Sequence, residues 1–380
     1  MAQFLAWATE KQPQIIELIR EMVECESPSD SPEAINRFVE LIADKLAGEA
    51  KIKTFSGGAH YGRHLRAEFI LPGRKKSGQI LALGHSDTVW PMGTLEDMPY
   101  REFDGRLWGP GVLDMKAGVA FFIFAMRALR EMELPVARKV VLQLNSDEEV
   151  GSHSSRSLTE EVAKNSVAVL VLEPGTGLGG KLKTARKGVG GYNVKVRGVS
   201  AHAGVDFTSG ANAIVELSRQ IDRIAGFTNL AKGLTVSPGV ISGGTRSNVI
   251  PAEAQVEVDV RIARLRDEAA LAKKFAALKP VDKRCKLEVT GGLNRPPMER
   301  TAGVVNLFRT AKALAAEFGV KLEESATGGG SDGNFTAALG IPTLDGIGAV
   351  GEGAHAVIES ILTDRIADRT ALLAKLVKTL

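Results

Sequence analysis

The stretch VVLQLNSDEEVGS, Val140 to Ser152, decides how this chain is read. Its opening, Val140 to Leu144, is β-branched and apolar and has the character of a strand. Two adjacent carboxylates follow, Glu148 and Glu149, where a parallel strand would deliver them to the edge of a sheet. Neighbouring side chains on extended backbone point in opposite directions, so one acid can hold a metal while the other faces a reacting water. The competing reading is a helix start, where Ser-Asp-Glu-Glu caps the first turn and complements its dipole. The remainder of the chain chooses between them.

Residues of metal-binding type recur in comparable settings. QILALGHSDT (Gln79 to Thr88) places His85 and Asp87 directly after an apolar strand, and VAVLVLEPG (Val167 to Gly175) ends another strand with Glu173. In open α/β sheets, ligands bind outside the carboxyl ends of the strands, so three strands would bring His, Glu-Glu and Glu to one edge. WGPGVLDMKAG (Trp108 to Gly118) puts Asp114 in a Gly/Pro-rich turn ahead of an apolar helix expected from Gly118 to Met132. GEGAHAVIE (Gly351 to Glu359) offers His355 from a glycine-rich loop.

His85, Asp114, Glu149, Glu173 and His355 amount to two imidazoles and three carboxylates. One carboxylate can bridge with its two oxygens, so five residues can supply three ligands to each of two ions. Nitrogen and oxygen ligation without thiolate suits zinc, with cobalt or manganese as substitutes. Two such ions can acidify a shared water from pKa ~15.7 to near 7, which makes hydrolysis of a stable bond feasible at neutral pH.

These motifs, with SAHAG around His202, RSNVIPAEA around Asn248 and TGGGSDG from Thr327, stand in the order of a known family. The chain resembles, over almost its whole length, the di-zinc peptidases and amidohydrolases that include carboxypeptidase G, aminoacylase-1, acetylornithine deacetylase and succinyl-diaminopimelate desuccinylase. The resemblance implies that Asp114 bridges two zinc ions, that His85 and Glu173 complete one site, and that Glu149 and His355 complete the other. It makes Glu148 the general base, sets Asp87 behind the His85 ring, and places a cis peptide bond between Asp114 and Met115. It also implies that His202 reaches the partner subunit's active site to polarise the scissile carbonyl, with Asn248 placed similarly.

The fold class expected is α/β in two domains. A zinc-peptidase-like α/β/α catalytic domain comprises residues 1–186 and 295–380. Inserted into it, residues 187–294 read as strand (Tyr192 to Val199), helix (Asn212 to Ile224), two strands (Leu234 to Ile241, Ala254 to Ile262), helix (Asp267 to Leu278) and strand (Lys286 to Thr290). That β-α-β-β-α-β order is ferredoxin-like, and a homodimer through this insert is expected, since a C2 pairing is the symmetric solution. At 380 residues, two domains are the default.

The composition, 48 basic against 45 acidic residues, gives no support to nucleic-acid binding. No apolar run approaches the ~20 residues of a membrane span. Cys25 and Cys285 stand far apart in no metal-binding spacing, which points to the cytoplasm. His60 and His64 read as solvated loop residues and His153 as part of the first turn of a helix. GTGLGG (Gly175 to Gly180) fits a dinucleotide fingerprint only in its glycines, because no helical pattern follows.

Substrate carboxylate recognition calls for cationic donors. Arg295, Arg261 and Lys181 stand where the carboxypeptidase G branch places such groups, and the TGGGSDG loop offers Gly329, Gly330 and Ser331 as further contacts. WGPG, LEPG and TGGGSDG favour that branch, which implies release of a C-terminal glutamate-like residue from a peptidyl or N-acyl substrate. ARKGVGG (Ala185 to Gly191) is closer to the deacetylase style and keeps an N-acyl-amino-acid deacylase open. A metal-stabilised binding protein without catalysis would have no use for Glu148.

Overall fold

The computed structural model describes residues 3–73 and 77–380. The chain divides into two compact units. The first comprises Met1–Ala185, Arg300–Ala326 and Ser331–Leu380, and the second Arg186–Glu299 with Thr327–Gly330. The sequence boundaries, 187 and 294, fall one and five residues inside the second unit's main segment. The short return of residues 327–330 to the second unit had no signal in the sequence.

The first unit is built on an eight-stranded sheet. Its order is Ala50–Phe55, His64–Phe69, Lys139–Asn145, Gln79–His85, Ser166–Val171, Thr343–Asp345, Leu182–Arg186 and Glu324–Thr327. The middle four are parallel, and Gln79–His85 is buried on both faces, as central parallel strands are. Register fixes what the strands deliver. His85 pairs with Asn145, and Leu83 with Val171, so Glu173, two residues on, stands level with His85.

The helix Ala117–Glu131 runs one residue ahead of the expected span. It is apolar almost all round, the pattern of a helix covered on every side. Phe121, Phe122 and Phe124 are buried in the main core with Ile15, Phe38 and Leu372. Each such side chain contributes about 1.5–3 kcal/mol on leaving water. No helix among the described residues is long and apolar enough to cross a membrane.

The second unit has the expected order: Gly188–Arg197, helix Ala213–Ala225, Thr235–Gly243, Glu253–Ile262, helix Glu268–Ala276 and Lys286–Arg295. The sheet runs third element, fourth, first, last (Thr235–Gly243, Glu253–Ile262, Gly188–Arg197, Lys286–Arg295), and every neighbouring pair is antiparallel. Asn212 caps the first helix by accepting the Val215 N–H at 3.0 Å. Alternating valines (Val194, Val196, Val256, Val258) form a separate core with Leu217 and Phe275, and Tyr192 stacks on Phe275 at 3.7 Å. The segments that begin and end the unit lie side by side, with Arg186 and Met298 exchanging both backbone bonds at 3.0 Å.

Candidate metal centre

Three strand ends and two loops of the first unit bring the candidate ligands together. His85 closes its strand, and Glu173 lies two residues beyond Val171. The Glu pair does not continue its strand, which stops at Asn145; Glu148 and Glu149 sit in a turn closed by Ser152 N–H to Asp147 O at 2.7 Å. The placement of the two carboxylates is therefore set by turn geometry rather than by alternation along an extended backbone. Asp87 holds that turn, accepting the Glu148 N–H on Oδ1 (3.2 Å) and the Glu149 N–H on Oδ2 (3.1 Å), while Ser29 Oγ donates to Oδ2 at 2.9 Å.

Asp114 lies at the centre. Its Oδ1 is 3.1 Å from His85 Nε2, and its Oδ2 is 3.4 Å from His355 Nε2. Glu173 Oε1 stands 3.6 Å from His85 Nε2, and Glu149 Oε1 stands 3.3 Å from His355 Nε2. Ligand atoms of His85, Glu148 and Glu173 lie within 4.8 Å of one another, as do those of His85, Asp114 and Glu149. The Asp114–Met115 peptide bond is cis.

On the far side of the His85 ring, Nδ1 meets the backbone carbonyl of Asp87 at 2.8 Å and its carboxylate at 3.5 Å. That contact fixes the tautomer and presents Nε2 to the centre. His355 reaches the cluster from the tip between the short strands Gly351–Glu352 and Ser360–Leu362, in a left-handed conformation with φ 61°.

The electrostatics are those of an anionic cluster. Burial works against a charged His85, but Asp114, Asp87 and Glu173 outweigh it and hold the imidazole well above its ordinary value. His355, half exposed, is raised to about 10 by Asp114 and Glu149. Burial raises Asp114, yet the two imidazoles prevail and its carboxyl falls well below the usual range. Burial pushes Glu149 up despite His355. Glu149 Oε1 is buried, and its 3.3 Å contact with His355 Nε2 falls short of hydrogen-bond geometry. An oxygen so placed, among nitrogen and oxygen donors without a thiol, fits a divalent cation.

Two residues beside the cluster escaped the sequence reading. Glu359, fully buried, accepts the N–H groups of Gly111 (3.0 Å), Leu113 (2.9 Å) and Asp114 (3.1 Å), and Trp90 Nε1–H at 2.7 Å. It fixes the backbone that carries Asp114. Glu359→Ala would leave two buried donors (Gly111, Leu113) and two part-buried ones (Asp114, Trp90) unpaired; at about 1–3 kcal/mol for each buried donor, a loss of about 2–6 kcal/mol is expected in chemical denaturation of the ion-free protein. The second is Lys183, whose Nζ lies 3.7 Å from Glu173 Oε2.

Lys181, by contrast, is not brought to the cluster. It stands in the turn before the strand, exposed, and pairs with Glu323 at 2.7 Å. Ser331 is buried in the first unit and donates to Asp345 Oδ2 at 2.6 Å. The remaining candidates belong to the second unit. His202 is exposed, its Nδ1 accepting the N–H groups of Gly204 (3.2 Å) and Val205 (3.1 Å), and it pairs across a bridge with Val249, next to Asn248. Arg261 is half-buried, forked onto Asp259 and donating to Gly328 O at 3.3 Å. Arg295 is buried and packs under Gly330, where a Cβ would meet its side chain at 2.9 Å. Gly329 and Gly330 offer their carbonyls to Arg186.

His64 overturns its reading as a solvated loop residue. It opens a strand, fully buried, with Nδ1 accepting the Ser146 N–H at 3.1 Å and Nε2 against Ser154 Oγ at 3.0 Å. His153 is exposed in the turn, because the next helix starts only at Arg156.

The profile of peptidase family M20/M25/M40 matches residues 81–379. Carboxypeptidase G2 of Pseudomonas sp. (strain RS-16) is 32% identical over 356 residues, covering 92% of this chain and 84% of that protein. A succinyl-diaminopimelate desuccinylase of Cereibacter sphaeroides is 30% identical over 333 residues, covering 80% and 84%. The crystal structure of aminopeptidase PepT from Bacillus cereus superposes with a TM-score of 0.79 at 23% identity, covering 97% of this chain and 98% of that one. The chain therefore belongs to peptidase family M20/M25/M40 and is a metallopeptidase or amidohydrolase of that family, an enzyme that hydrolyses an amide bond.

Proposed function

We propose that this enzyme releases a C-terminal glutamate-like amino acid from a peptidyl or N-acyl substrate, using two zinc ions. The observation that carries the two-ion reading is Asp114, whose oxygens each face a different imidazole. Asp114 would bridge, His85 and Glu173 would complete one site, and Glu149 and His355 the other. When bound, the ions supply Lewis acidity toward the scissile carbonyl and lower the pKa of the attacking water. The chain's own residues do the rest. Glu148 takes the proton of that water on its carboxylate and passes it to the departing amide nitrogen. Asp87 holds the turn that carries Glu148 and Glu149 through the two backbone bonds.

The glutamate-type reading is supported by the 32% identity to a carboxypeptidase over 92% of this chain. Arg295 and Arg261, with Gly329 and Gly330, are the groups we assign to the substrate carboxylate; Ser331, buried and donating to Asp345, is not among them. His202 and Asn248 would stabilise the oxyanion from a partner subunit, in a homodimer formed through the inserted unit, which would also act as a lid. We place the enzyme in the cytoplasm. The alternative is an N-acyl-amino-acid deacylase, favoured by ARKGVGG and by the desuccinylase relative.

A substrate panel separates the two readings. Acyl groups and released amino acids are varied independently, with zinc, cobalt or manganese present and a chelator as control. A glutamate carboxypeptidase will show kcat/KM set by the released amino acid, with acidic residues preferred. Rates governed by the acyl group with indifference to glutamate would decide for the deacylase, and no hydrolysis of any member with both ions bound would reject both.

A further inference from the structure

Lys183 is a buried cation for which the mechanism above has no role. It lies in the strand Leu182–Arg186, its Cα paired with that of Asp345. Its ammonium stands between two carboxylates, 3.7 Å from Glu173 Oε2 and 3.8 Å from Asp345 Oδ1, and its side chain is only 10% exposed. The other oxygen of Asp345 accepts the Ser331 hydroxyl, which anchors the pair from behind. The other oxygen of Glu173 faces His85. Glu173 thus has one oxygen turned to the centre and one turned to the lysine. A substrate carboxylate would have to displace an existing partner to reach this ammonium, so substrate recognition is not what the position suits.

The two halves of the centre differ in this respect. Among the described residues, Glu149 has His355 as its only ion-pair partner, and Asp114 has only the two imidazoles. Among the described residues, a lysine ammonium pairs with Glu173, and none pairs with Glu149 or Asp114.

We propose that Lys183 is a positioning residue that makes the two cation sites unequal: it confines Glu173 to one donor oxygen and sets a like charge beside the ion held by His85 and Glu173, which therefore binds more weakly than the ion held by Glu149 and His355. The proposal rests on the two-ion reading. Groups behind the ligands typically change metal affinity by about 10- to 100-fold, and removing them usually weakens binding. Here the sign reverses, because charge repulsion at a few ångströms in a protein interior exceeds the gain from orientation. Removing the lysine also takes a positive charge away from the side of Asp345, and less positive surroundings favour a cation.

The test is calorimetric titration of the chelator-stripped full-length protein with Zn2+ in the presence of a competing chelator. Wild type should take up two ions in separated steps. Lys183→Met should tighten the weaker step by about 10- to 100-fold and leave the stronger one unchanged, while Lys183→Arg, which keeps the charge, should keep the separation. Should the methionine variant fail to fold, Lys183→Gln serves in the same titration. A weaker step that is unchanged or weakened on loss of the charge, or an arginine variant that behaves like methionine, overturns the proposal. Uptake of fewer than two ions by wild type would count against the two-ion reading itself, whereas two ions with no response to Lys183 would sink only the role given to the lysine.

Discussion

Replacement of Glu148 by Gln should leave a folded enzyme that still takes up both ions but turns over about 10²–10⁴-fold more slowly, the range lost when a general base is removed. The substitution is nearly isosteric, and the backbone bond from residue 148 to Asp87 Oδ1 does not depend on the side chain. What is lost is a carboxylate able to accept a proton, since an amide oxygen at neutral pH cannot take one. Glu149→Gln should behave differently: that side chain faces His355 and Asp114, so the loss should appear first in metal stoichiometry and only then in rate. Metal content by atomic absorption, measured beside kcat for both variants, distinguishes the roles. A Glu148→Gln enzyme carrying both ions with near wild-type kcat would remove Glu148 from the mechanism.

The parts of the centre that were legible in the sequence are those whose position follows from a strand. His85 and Glu173 end apolar runs, and a parallel sheet aligns such ends by register, so their meeting needs no knowledge of distant loops. The inserted unit was legible for a similar reason: its strands alternate and its helices are periodic, and only the ends of strands extended by glycine-rich segments, such as Lys286–Arg295, ran past expectation. Glu359 was not legible, because its donors Gly111, Leu113 and Asp114 lie some 245 residues earlier in the chain. An acidic residue after AVI reads as surface until those donors are known. Lys183 escaped notice, and Lys181 was named, for want of a similar long-range fact. Both stand near the same strand, and which of them is buried is decided by Asp345 on the neighbouring strand, a pairing no local pattern contains. His64 became a core residue because Ser146 and Ser154 supply its partners from a loop about 80–90 residues away.

Zinc affinity should rise by about tenfold per pH unit for each imidazole a site must deprotonate, which amounts to about 100-fold between pH 6 and 8 for the ion held by His355. The cause is the charge already present in the cluster. His355 is raised to about 10 by Asp114 and Glu149, so in the ion-free protein its ring carries a proton across this interval, and the same carboxylate neighbours hold His85 well above its ordinary value. A ligand nitrogen must be neutral, so each ion displaces a proton from its histidine, and lowering the pH favours the competitor. The stability of the ion-free protein has the opposite sign. With folded pKa values above the ordinary 6.5, the folded state binds more protons than the unfolded chain as pH rises from 6.5, and the slope of unfolding free energy is negative there. Stability from these pairs is complete below pH 6.5 and is lost as pH rises toward 10. Ion-free protein should therefore melt at progressively lower temperature through this window, while zinc-loaded protein, whose ligands hold metal in place of protons, should not follow that decline. Calorimetry in buffers of differing ionisation enthalpy reads the protons released per ion directly. Release near zero at pH 7, with affinity flat from pH 6 to 8, would show that His85 and His355 do not both serve as ligands.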